Sequence, residues 1–326
     1  MAAELDRLPA EEASEFQVAL APPPLAEISG GNAGIPGVWT FAAPQPGPHT
    51  CLVSLIHGNE YAGAIALAEL RRLAGLPARG RLSLVFANLE AFARFDPRAP
   101  TASRYVDEDL NRLWCRAVLD GPRDSAELRR ARTLRPLFDT VDVLVDLHSM
   151  LWDGDPLILC GATEKARRLA LAIGAPPLVV GDQGHLGGRR LIDYRPFADP
   201  GSPRAAVLVE AGQHWQAATV RTMRRAIAGV LRHTAQLSEA AAGFAPALAA
   251  ETPVVAEVTM TVTAESNDFR FVRPFRGGEV VPDRNTLIAL DGDAEIRTPH
   301  DDCILVMPSL RPSRGHTAVR LARRVG

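Results

Sequence analysis

The stretch Cys51–Glu60, CLVSLIHGNE, decides the fold and the position of the site. Its apolar run, Leu52–Ile56, predicts a buried strand, and the segment after Glu60 predicts a helix. In open α/β sheets, ligands and catalytic groups lie at the carboxyl ends of such strands. His57 and Glu60 stand three residues apart on the intervening turn, where an imidazole and a carboxylate can reach one Zn²⁺. Gly58 is expected to let the backbone turn sharply between them. An H-x-x-E pair also arises by chance, so other residues have to support it.

The composition argues against several classes of partner. The chain has 326 residues, of which 47% are hydrophobic, enough for one large domain or two ordinary ones. Its net charge of −2 argues against nucleic acid or an acidic membrane surface as the main partner. No apolar run approaches the ~18 residues of a membrane span, and no signal peptide is visible at the N-terminus. Four scattered cysteines without a C-x-x-C predict free, mostly buried thiols in the cytoplasm. The sequence leaves a homo-oligomer open.

The pattern of elements predicts an α/β fold with a mixed, largely parallel sheet flanked by helices. Besides an edge strand at 38–41, strands are predicted at 82–87, 141–147, 157–160 and 205–209, and helices at 125–137, 163–173 and 220–231. Residues 88–110 predict a long loop. After an Ala-rich linker, strict alternation from Val254 predicts a smaller C-terminal all-β domain. The predicted division is a catalytic domain, 1–240, and a β-rich domain, 251–326, which is expected to shape the pocket entrance.

Three of the strongest strand candidates end in a residue that can bind a metal or transfer a proton. The first delivers His57 and Glu60, the strand 141–147 delivers His148, and the strand 205–209 delivers Glu210. Two histidines and one glutamate make a three-ligand catalytic zinc site that leaves a fourth position for water. Glu210 is then the carboxylate that takes a proton from that water. The sequence therefore predicts one Zn²⁺ per chain.

A second cluster lies in the long loop and the residues after it, RYVDEDLNR at 104–112. Arginine pairs with carboxylates through two parallel hydrogen bonds, and asparagine can donate beside it. Arg104 or Arg112 could thus polarise a scissile carbonyl or bind a substrate carboxylate, together with Asn111. The alternative is a solvated, salt-bridged loop, because nearly all basic residues of this chain are arginine and an isolated arginine carries little weight.

The motifs HGNE, SRYVDEDLNRLW, DLHS and VEAGQ resemble, in order and spacing, the succinylglutamate desuccinylase/aspartoacylase family over residues 50–215. These enzymes are zinc-dependent amidohydrolases related to the zinc carboxypeptidases, and the β-rich tail resembles their C-terminal domain. The resemblance implies that His57, Glu60 and His148 bind zinc and that Glu210 acts as general base and then as acid. It further implies that Arg104 stabilises the oxyanion, while Asn111 and Arg112 bind a substrate carboxylate.

The leading hypothesis is therefore a zinc-dependent deacylase that hydrolyses the amide bond of an N-acyl amino acid or a related small N-acylated substrate. One alternative is a zinc carboxypeptidase that acts on peptides, which an open groove would favour over a closed pocket. Another is a non-enzymatic metal- or carbohydrate-binding module. Family members also use an arginine and a tyrosine upstream of the general base to bind the acyl carboxylate; here that region holds Tyr194, Arg195 and Arg204 without a clear match.

The remaining polar residues receive simpler predictions. His214, four residues after Glu210, is expected to have a structural or supporting role, and His185 lies in a Gly-rich loop that could cover the pocket. Asp146, two residues before His148, could orient that histidine as a metal ligand. The other histidines show no partner pattern and are predicted at the surface: His49, His233, His300 and His316.

Overall fold

The computed structural model describes residues 16–73, 76–185, 187–244 and 251–325. The strands are β1 Val38–Ala42, β2 His49–Ser54, β3 Arg81–Phe86, β4 Val143–Met150, β5 Leu157–Leu159, β6 Leu178–Gly181, β7 Ala205–Gln213, β8 Val254–Thr263, β9 Phe269–Phe271, β10 Val280–Val281, β11 Leu287–Asp291, β12 Ala294–Arg297, β13 Cys303–Val306 and β14 Thr317–Arg324. The helices are α1 Leu25–Ile28, α2 Ala62–Arg71, α3 Leu89–Ala93, α4 Arg116–Leu119, α5 Ala126–Phe138, α6 Glu164–Ile173, α7 Arg195–Ala198 and α8 Ala217–His233. Short 3-10 helices lie at Leu110–Arg112, Leu191–Asp193 and Glu239–Phe244.

The described chain forms one mixed sheet of eleven strands and a separate sheet of three. The large sheet has the order β1-β3-β2-β4-β7-β5-β6-β8-β14-β13-β10, and the small sheet has the order β12-β11-β9. Strands β3, β2, β4 and β7 run parallel, whereas β5 joins β7 antiparallel. The three strands of the small sheet are antiparallel. The predicted fold class is confirmed: an α/β fold with a mixed, largely parallel sheet and a C-terminal antiparallel sheet.

Helices cover both faces of the large sheet. Helices α2, α6 and α8 bury their apolar sides on one face, with Leu67, Ile173 and Ile227 fully buried. Helix α5 covers the other face, where its Phe138 packs edge-on against the buried Trp114, with ring centroids 5.2 Å apart. Because both faces are covered, the central strands are apolar almost throughout, which is why they read as continuous hydrophobic runs.

Local signals place the ends of α5 and α6 within one residue of the prediction, whereas α8 extends beyond its predicted range at both ends. Ser125 caps α5, since its hydroxyl accepts the Leu128 N–H at 3.0 Å. Gly174 ends α6 in the left-handed conformation, with φ +72°. The predicted long loop needs one correction, because its first residues form α3. The side chain of Asn88 accepts the Ala91 N–H at 3.2 Å and so supplies a cap that periodicity did not reveal.

Two details of the strands also differ from the prediction. Strand β2 ends at Ser54, where Leu55 takes the left-handed conformation with φ +59°. Gly58 is needed for close approach instead of a sharp turn, because a Cβ there would lie 2.4 Å from the Ser103 carbonyl oxygen. Strands β4 and β7 run beyond their predicted ends, so His148 and Glu210 lie inside strands.

The C-terminal region continues the large sheet. Strand β8 pairs with β6 in parallel, and β14, β13 and β10 follow it outward. The division into domains at 1–240 and 251–326 stays a prediction. Residues 1–15, where no signal peptide is expected, and 245–250 of the expected linker lie outside the described residues. Within the described chain, no helix combines the length and the apolar character needed to cross a membrane.

Candidate metal centre and active site

The sheet topology brings the predicted strand-end residues together. Strands β2, β4 and β7 are neighbours and run in the same direction. His57 and Glu60 lie on the turn after β2, while His148 and Glu210 are register partners on β4 and β7. All four side chains border one cavity and are at most 6% exposed.

His57, Glu60 and His148 form a group that could hold a metal ion. One potential ligand atom from each lies within 4.8 Å of the others. The Glu60 carboxylate joins the two rings: Oε1 lies 2.7 Å from His57 Nδ1 and Oε2 lies 3.0 Å from His148 Nδ1. Two imidazole nitrogens and a carboxylate turned toward one point are the donor set of a three-ligand zinc site. The chemistry of these residues therefore fits the metal that the sequence predicts.

The charges in this group compensate one another. Burial alone would raise the pKa of Glu60, but His57 and His148 outweigh that effect and hold its pKa well below the usual range. Burial alone would lower the pKa of His148, but Asp146 and Glu60 raise that pKa well above the usual value. A divalent cation would compete with the proton that the raised pKa favours on His148, whereas the lowered pKa keeps Glu60 a carboxylate that can bind the cation.

Carboxylates lie behind both histidines. Asp109 Oδ1 is 3.0 Å from His57 Nε2, and Asp146 Oδ2 is 2.9 Å from His148 Nε2. A carboxylate behind a metal-binding imidazole can orient the ring. Asp146 thus lies where the sequence allowed for a carboxylate that orients His148. The Ser149 N–H donates to Glu60 Oε2 at 3.0 Å and fixes the third group.

Glu210 completes the group with an oxygen that has no partner. Its Oε2 is buried without a hydrogen bond from any described residue. Burial raises the pKa of Glu210, and the charge of the nearby Glu60 adds to the effect. A buried carboxyl group with a raised pKa and a free oxygen at a cavity is suited to proton transfer.

The predicted loop residues lie beside this group. Arg104 Nη1 donates to Glu60 Oε1 at 3.1 Å, and its Nη2 lies 3.0 Å from His57 Nε2. Asn111 Oδ1 accepts the Leu191 N–H at 2.7 Å, and its Nδ2 lies 3.3 Å from His148 Nε2. All the loop residues predicted for the site border the cavity, including Arg112.

Arg112 is held by its own loop. Its Nη1 donates to the Asn111 carbonyl at 2.8 Å, and its Nη2 lies 3.5 Å from Asp109 Oδ2. Burial alone would raise the pKa of Asp109, but Arg112 and His57 outweigh burial and hold that pKa well below its usual range. The loop is therefore both a salt-bridged network and part of the cavity wall.

Glu127 of α5 fixes the shape of that loop and was not expected from the sequence. Its fully buried carboxylate accepts the backbone N–H groups of Val106, Asp107 and Glu108 at 2.7, 3.0 and 3.2 Å. The Asn88 amide donates to the same carboxylate at 2.9 Å. One charged acceptor thus satisfies four donors and holds the segment between Arg104 and Arg112.

The cavity has a volume of about 490 Å³, and the C-terminal region closes one side of it. We call this side the C-terminal wall; its polar members are Thr263, Ser309, Arg311, Ser313, His316, Thr317 and Arg320. Residues of the β-rich region thus line the cavity, and their role in shaping its entrance stays a prediction. None of its members belongs to the group that could hold a metal.

Comparison with known proteins assigns the family. Residues 46–237 match the family model of the succinylglutamate desuccinylase/aspartoacylase catalytic domain. The chain belongs to this family. Among curated proteins, none matches the chain. The resemblance stated from the motifs is thereby confirmed.

Solved structures with the same fold come from several members. A succinylglutamate desuccinylase from Vibrio parahaemolyticus is 16% identical, with a TM-score of 0.68 over 90% of this chain and 87% of that one. A succinylglutamate desuccinylase/aspartoacylase from Rhodobacter sphaeroides is 22% identical, with a TM-score of 0.62 over 86% and 87%. An ectoine utilization protein from Ruegeria pomeroyi, solved with product bound, is 19% identical, with a TM-score of 0.61 over 87% of both chains.

Within this desuccinylase/aspartoacylase chain, the tyrosine and arginine candidates at 194, 195 and 204 lie away from the cavity. The Tyr194 hydroxyl donates to Asp139 Oδ1 at 2.6 Å, and Arg204 Nη1 donates to the Asp139 carbonyl at 2.6 Å. Neither of them, nor Arg195, borders the cavity. Besides Arg104 and Arg112, the cavity is bordered by Arg190, Arg311 and Arg320, which the sequence did not single out because arginine is so common in it.

Three of the four histidines that were predicted at the surface lie elsewhere, whereas His214 and His185 border the cavity. His214 borders the cavity, and its Nδ1 lies 2.8 Å from the Ser149 hydroxyl. His185 also borders it; burial and Arg112 lower the pKa of His185 to about 3, so the ring is neutral. His49 and His300, predicted at the surface, are buried and bonded to Ser83 and Thr259, respectively. His316, predicted at the surface as well, forms part of the C-terminal wall.

Proposed function

We propose that the protein is a zinc-dependent deacylase that hydrolyses the amide bond of an N-acyl amino acid or a related small N-acylated substrate. The observation that carries the proposal is the meeting of His57, Glu60 and His148 with the unpartnered Glu210 at one sheet edge. Membership in the desuccinylase/aspartoacylase family supports the reaction class, an enzyme that acts on amide bonds.

The metal would be held by Nδ1 of His57, Nδ1 of His148 and the carboxylate of Glu60. A zinc ion there would supply a Lewis acid for the scissile carbonyl and lower the pKa of water to ~7. Asp109 and Asp146, which lie behind the two rings, would orient the imidazoles for the metal. We propose one zinc ion per chain, because one such group of ligands occurs among the described residues.

The proton transfers would belong to Glu210. Its free Oε2 would accept the proton of the attacking water, and the same group would return a proton to the leaving amine. The pKa raised by burial suits both steps, because a base near its pKa gives up its proton as readily as it takes it. Atoms and charge balance over the two steps: water adds across the amide bond, and Glu210 ends as it began.

Arg104 would stabilise the oxyanion that forms on the scissile carbonyl, since its guanidinium already lies against Glu60 and His57. Arg112 would bind a substrate carboxylate. Asn111 would act beside Arg112 through the second N–H of its amide, because its Oδ1 is engaged by Leu191. The family resemblance suggests these three roles, and the positions of the three residues at the cavity support them.

The alternative is a zinc carboxypeptidase that acts on peptides. The C-terminal wall favours the deacylase, because residues from 263 to 320 close a side of the cavity along which a peptide would have to extend. We further propose that the protein is cytoplasmic, since Cys51, Cys115, Cys160 and Cys303 are free thiols, as a reducing compartment maintains.

The test is a substrate panel on zinc-loaded protein: N-acetyl, N-succinyl and N-formyl amino acids beside short peptides, with amine release as the readout. The wild type and the exposed control Glu164→Gln should hydrolyse at least one N-acyl amino acid, and Glu210→Gln should not. Turnover of peptides alone would decide for the carboxypeptidase. Undiminished turnover by Glu210→Gln would remove that residue from the mechanism.

A further inference from the structure

Arg320 is a buried cation that the proposed reaction does not use. It lies on β14, is 8% exposed and borders the same cavity as Arg112 and Glu210. A guanidinium group carries five N–H donors and remains charged in proteins. Burying such a group without hydrogen-bonding partners costs free energy, so its position at a cavity wall calls for an explanation.

The neighbouring carboxylates are engaged elsewhere. Arg190 donates to both oxygens of Asp182, at 2.8 and 2.7 Å, and to both oxygens of Asp193, at 2.7 and 3.1 Å. Asp182 Oδ2 is 3.9 Å from Arg320 Nε, beyond hydrogen-bond range, and is the nearest carboxylate oxygen to it among the described residues. The four charges balance formally, but the hydrogen bonds of both carboxylates go to Arg190.

The charged groups around Arg320 favour the binding of an anion. Arg112 and Arg190 act on it as like charges, and Asp182 and Glu210 act on it as opposite charges. Burial and the positive charges of Arg112 and Arg320 lower the pKa of His185 to about 3, so its ring is neutral and adds no further positive charge. Arg112 on the loop and Arg320 on the last strand border the same cavity and interact as like charges, so an anion bound between them would relieve their repulsion.

We propose that Arg320 is the second arginine of the carboxylate site to which Arg112 belongs, so that a substrate carboxylate binds to both guanidinium groups. This inference rests on the proposed function in taking the ligand to be a carboxylate-bearing N-acyl substrate. It assigns to the C-terminal region a residue that determines specificity, although that region supplies no group to the metal centre. The carboxylate in question is that of the amino acid, and converting it to a carboxamide removes the charge that the two arginines would bind.

The test compares the N-acyl amino acid that the wild type binds most tightly with its carboxamide. Zinc-loaded wild type, Arg320→Gln, Arg320→Lys and the control Arg323→Gln, an exposed arginine on the same strand, are titrated by calorimetry and assayed for turnover. Arg320→Gln should weaken binding of the acid, or raise its KM, about tenfold to a hundredfold, and change the amide less than about twofold. Arg320→Lys should recover part of the loss, because lysine keeps the charge but not the planar pair of donors.

The competing explanation is that Arg320 only neutralises Asp182. It predicts that Arg320→Gln lowers the thermal unfolding temperature and affects acid and amide alike, and that result would overturn the inference. So would behaviour equal to Arg323→Gln, or failure of the wild type to prefer any acid over its amide. Binding with this pattern but no hydrolysis would count against the proposed function and leave the assignment of Arg320 in place.

Discussion

Two regions border the same cavity but differ in how their charges are paired. One is the strand-edge site, formed by His57, Glu60, His148 and Glu210 near the carboxyl ends of β2, β4 and β7, and the other is the C-terminal wall. At the strand edge, each histidine is held between Glu60 and a second carboxylate, so charges are paired within the site. In the wall, Arg320 lies 3.9 Å from a carboxylate that is already engaged. Paired charges fix a geometry, whereas an incompletely paired charge is available to a ligand. The difference predicts that the ends of the strands supply the chemistry and that the C-terminal wall adds to the specificity set by the loop.

Among the residues of the loop and the wall, the largest effect is expected from Arg104, whose guanidinium contacts Glu60 and His57. Arg104→Ala should lower kcat by about 10²–10³ with zinc retained, because an oxyanion donor acts in the transition state. KM should change far less, since ground-state binding is assigned to Arg112. Steady-state kinetics with metal analysis checks this. If Arg104→Ala kept a kcat as close to that of the wild type as the exposed control Arg94→Ala, the loop would be a solvated salt-bridge network without a catalytic role.

Glu127 offers a sharper test of how the loop is held. Glu127→Ala removes the acceptor of four donors and should lower the free energy of unfolding by about 3 kcal/mol or more. Denaturant unfolding measures the change, and Glu164→Ala on the surface of α6 serves as the control. A stability within about 0.5 kcal/mol of the wild type would mean that the loop keeps its shape without Glu127.

The smallest effect is expected from a neutral member of the C-terminal wall. Ser313→Ala should raise KM by about two- to tenfold, the range of one neutral hydrogen bond, and leave kcat unchanged. A fall in kcat comparable to that of Arg104→Ala would contradict the separation between chemistry at the strand edge and specificity in the wall.

Local sequence signals explain why the strand edge could be predicted. The sequence runs before His57, His148 and Glu210 are apolar because both faces of their strands are covered. The polar residue directly follows each run, so it can be recognised without knowledge of distant contacts. The parallel arrangement that aligns them follows from alternation of strands and helices. The fold class and the grouping of these residues were therefore within reach of the sequence, although the strand ends were misplaced by a few residues.

The residues that the sequence missed depend on contacts between distant segments. Glu127 looks like any acidic residue in the first turn of a helix, and its role follows only when residues 106–108 fold back onto it. Arg320 is one arginine among many, and its position at the cavity depends on the pairing of β14 with β8. His49 and His300 are buried by partners 34 and 41 residues away, so no local pattern marked them.

The central claim is that His57, Glu60 and His148 hold one zinc ion, and metal content tests it most directly. Protein purified without added metal should contain about one zinc per chain by elemental analysis. His148→Ala should contain almost none while keeping the circular dichroism of the wild type, and His233→Ala, which changes a histidine outside the site, should match the wild type. Equal zinc content in the wild type and His148→Ala would contradict the account.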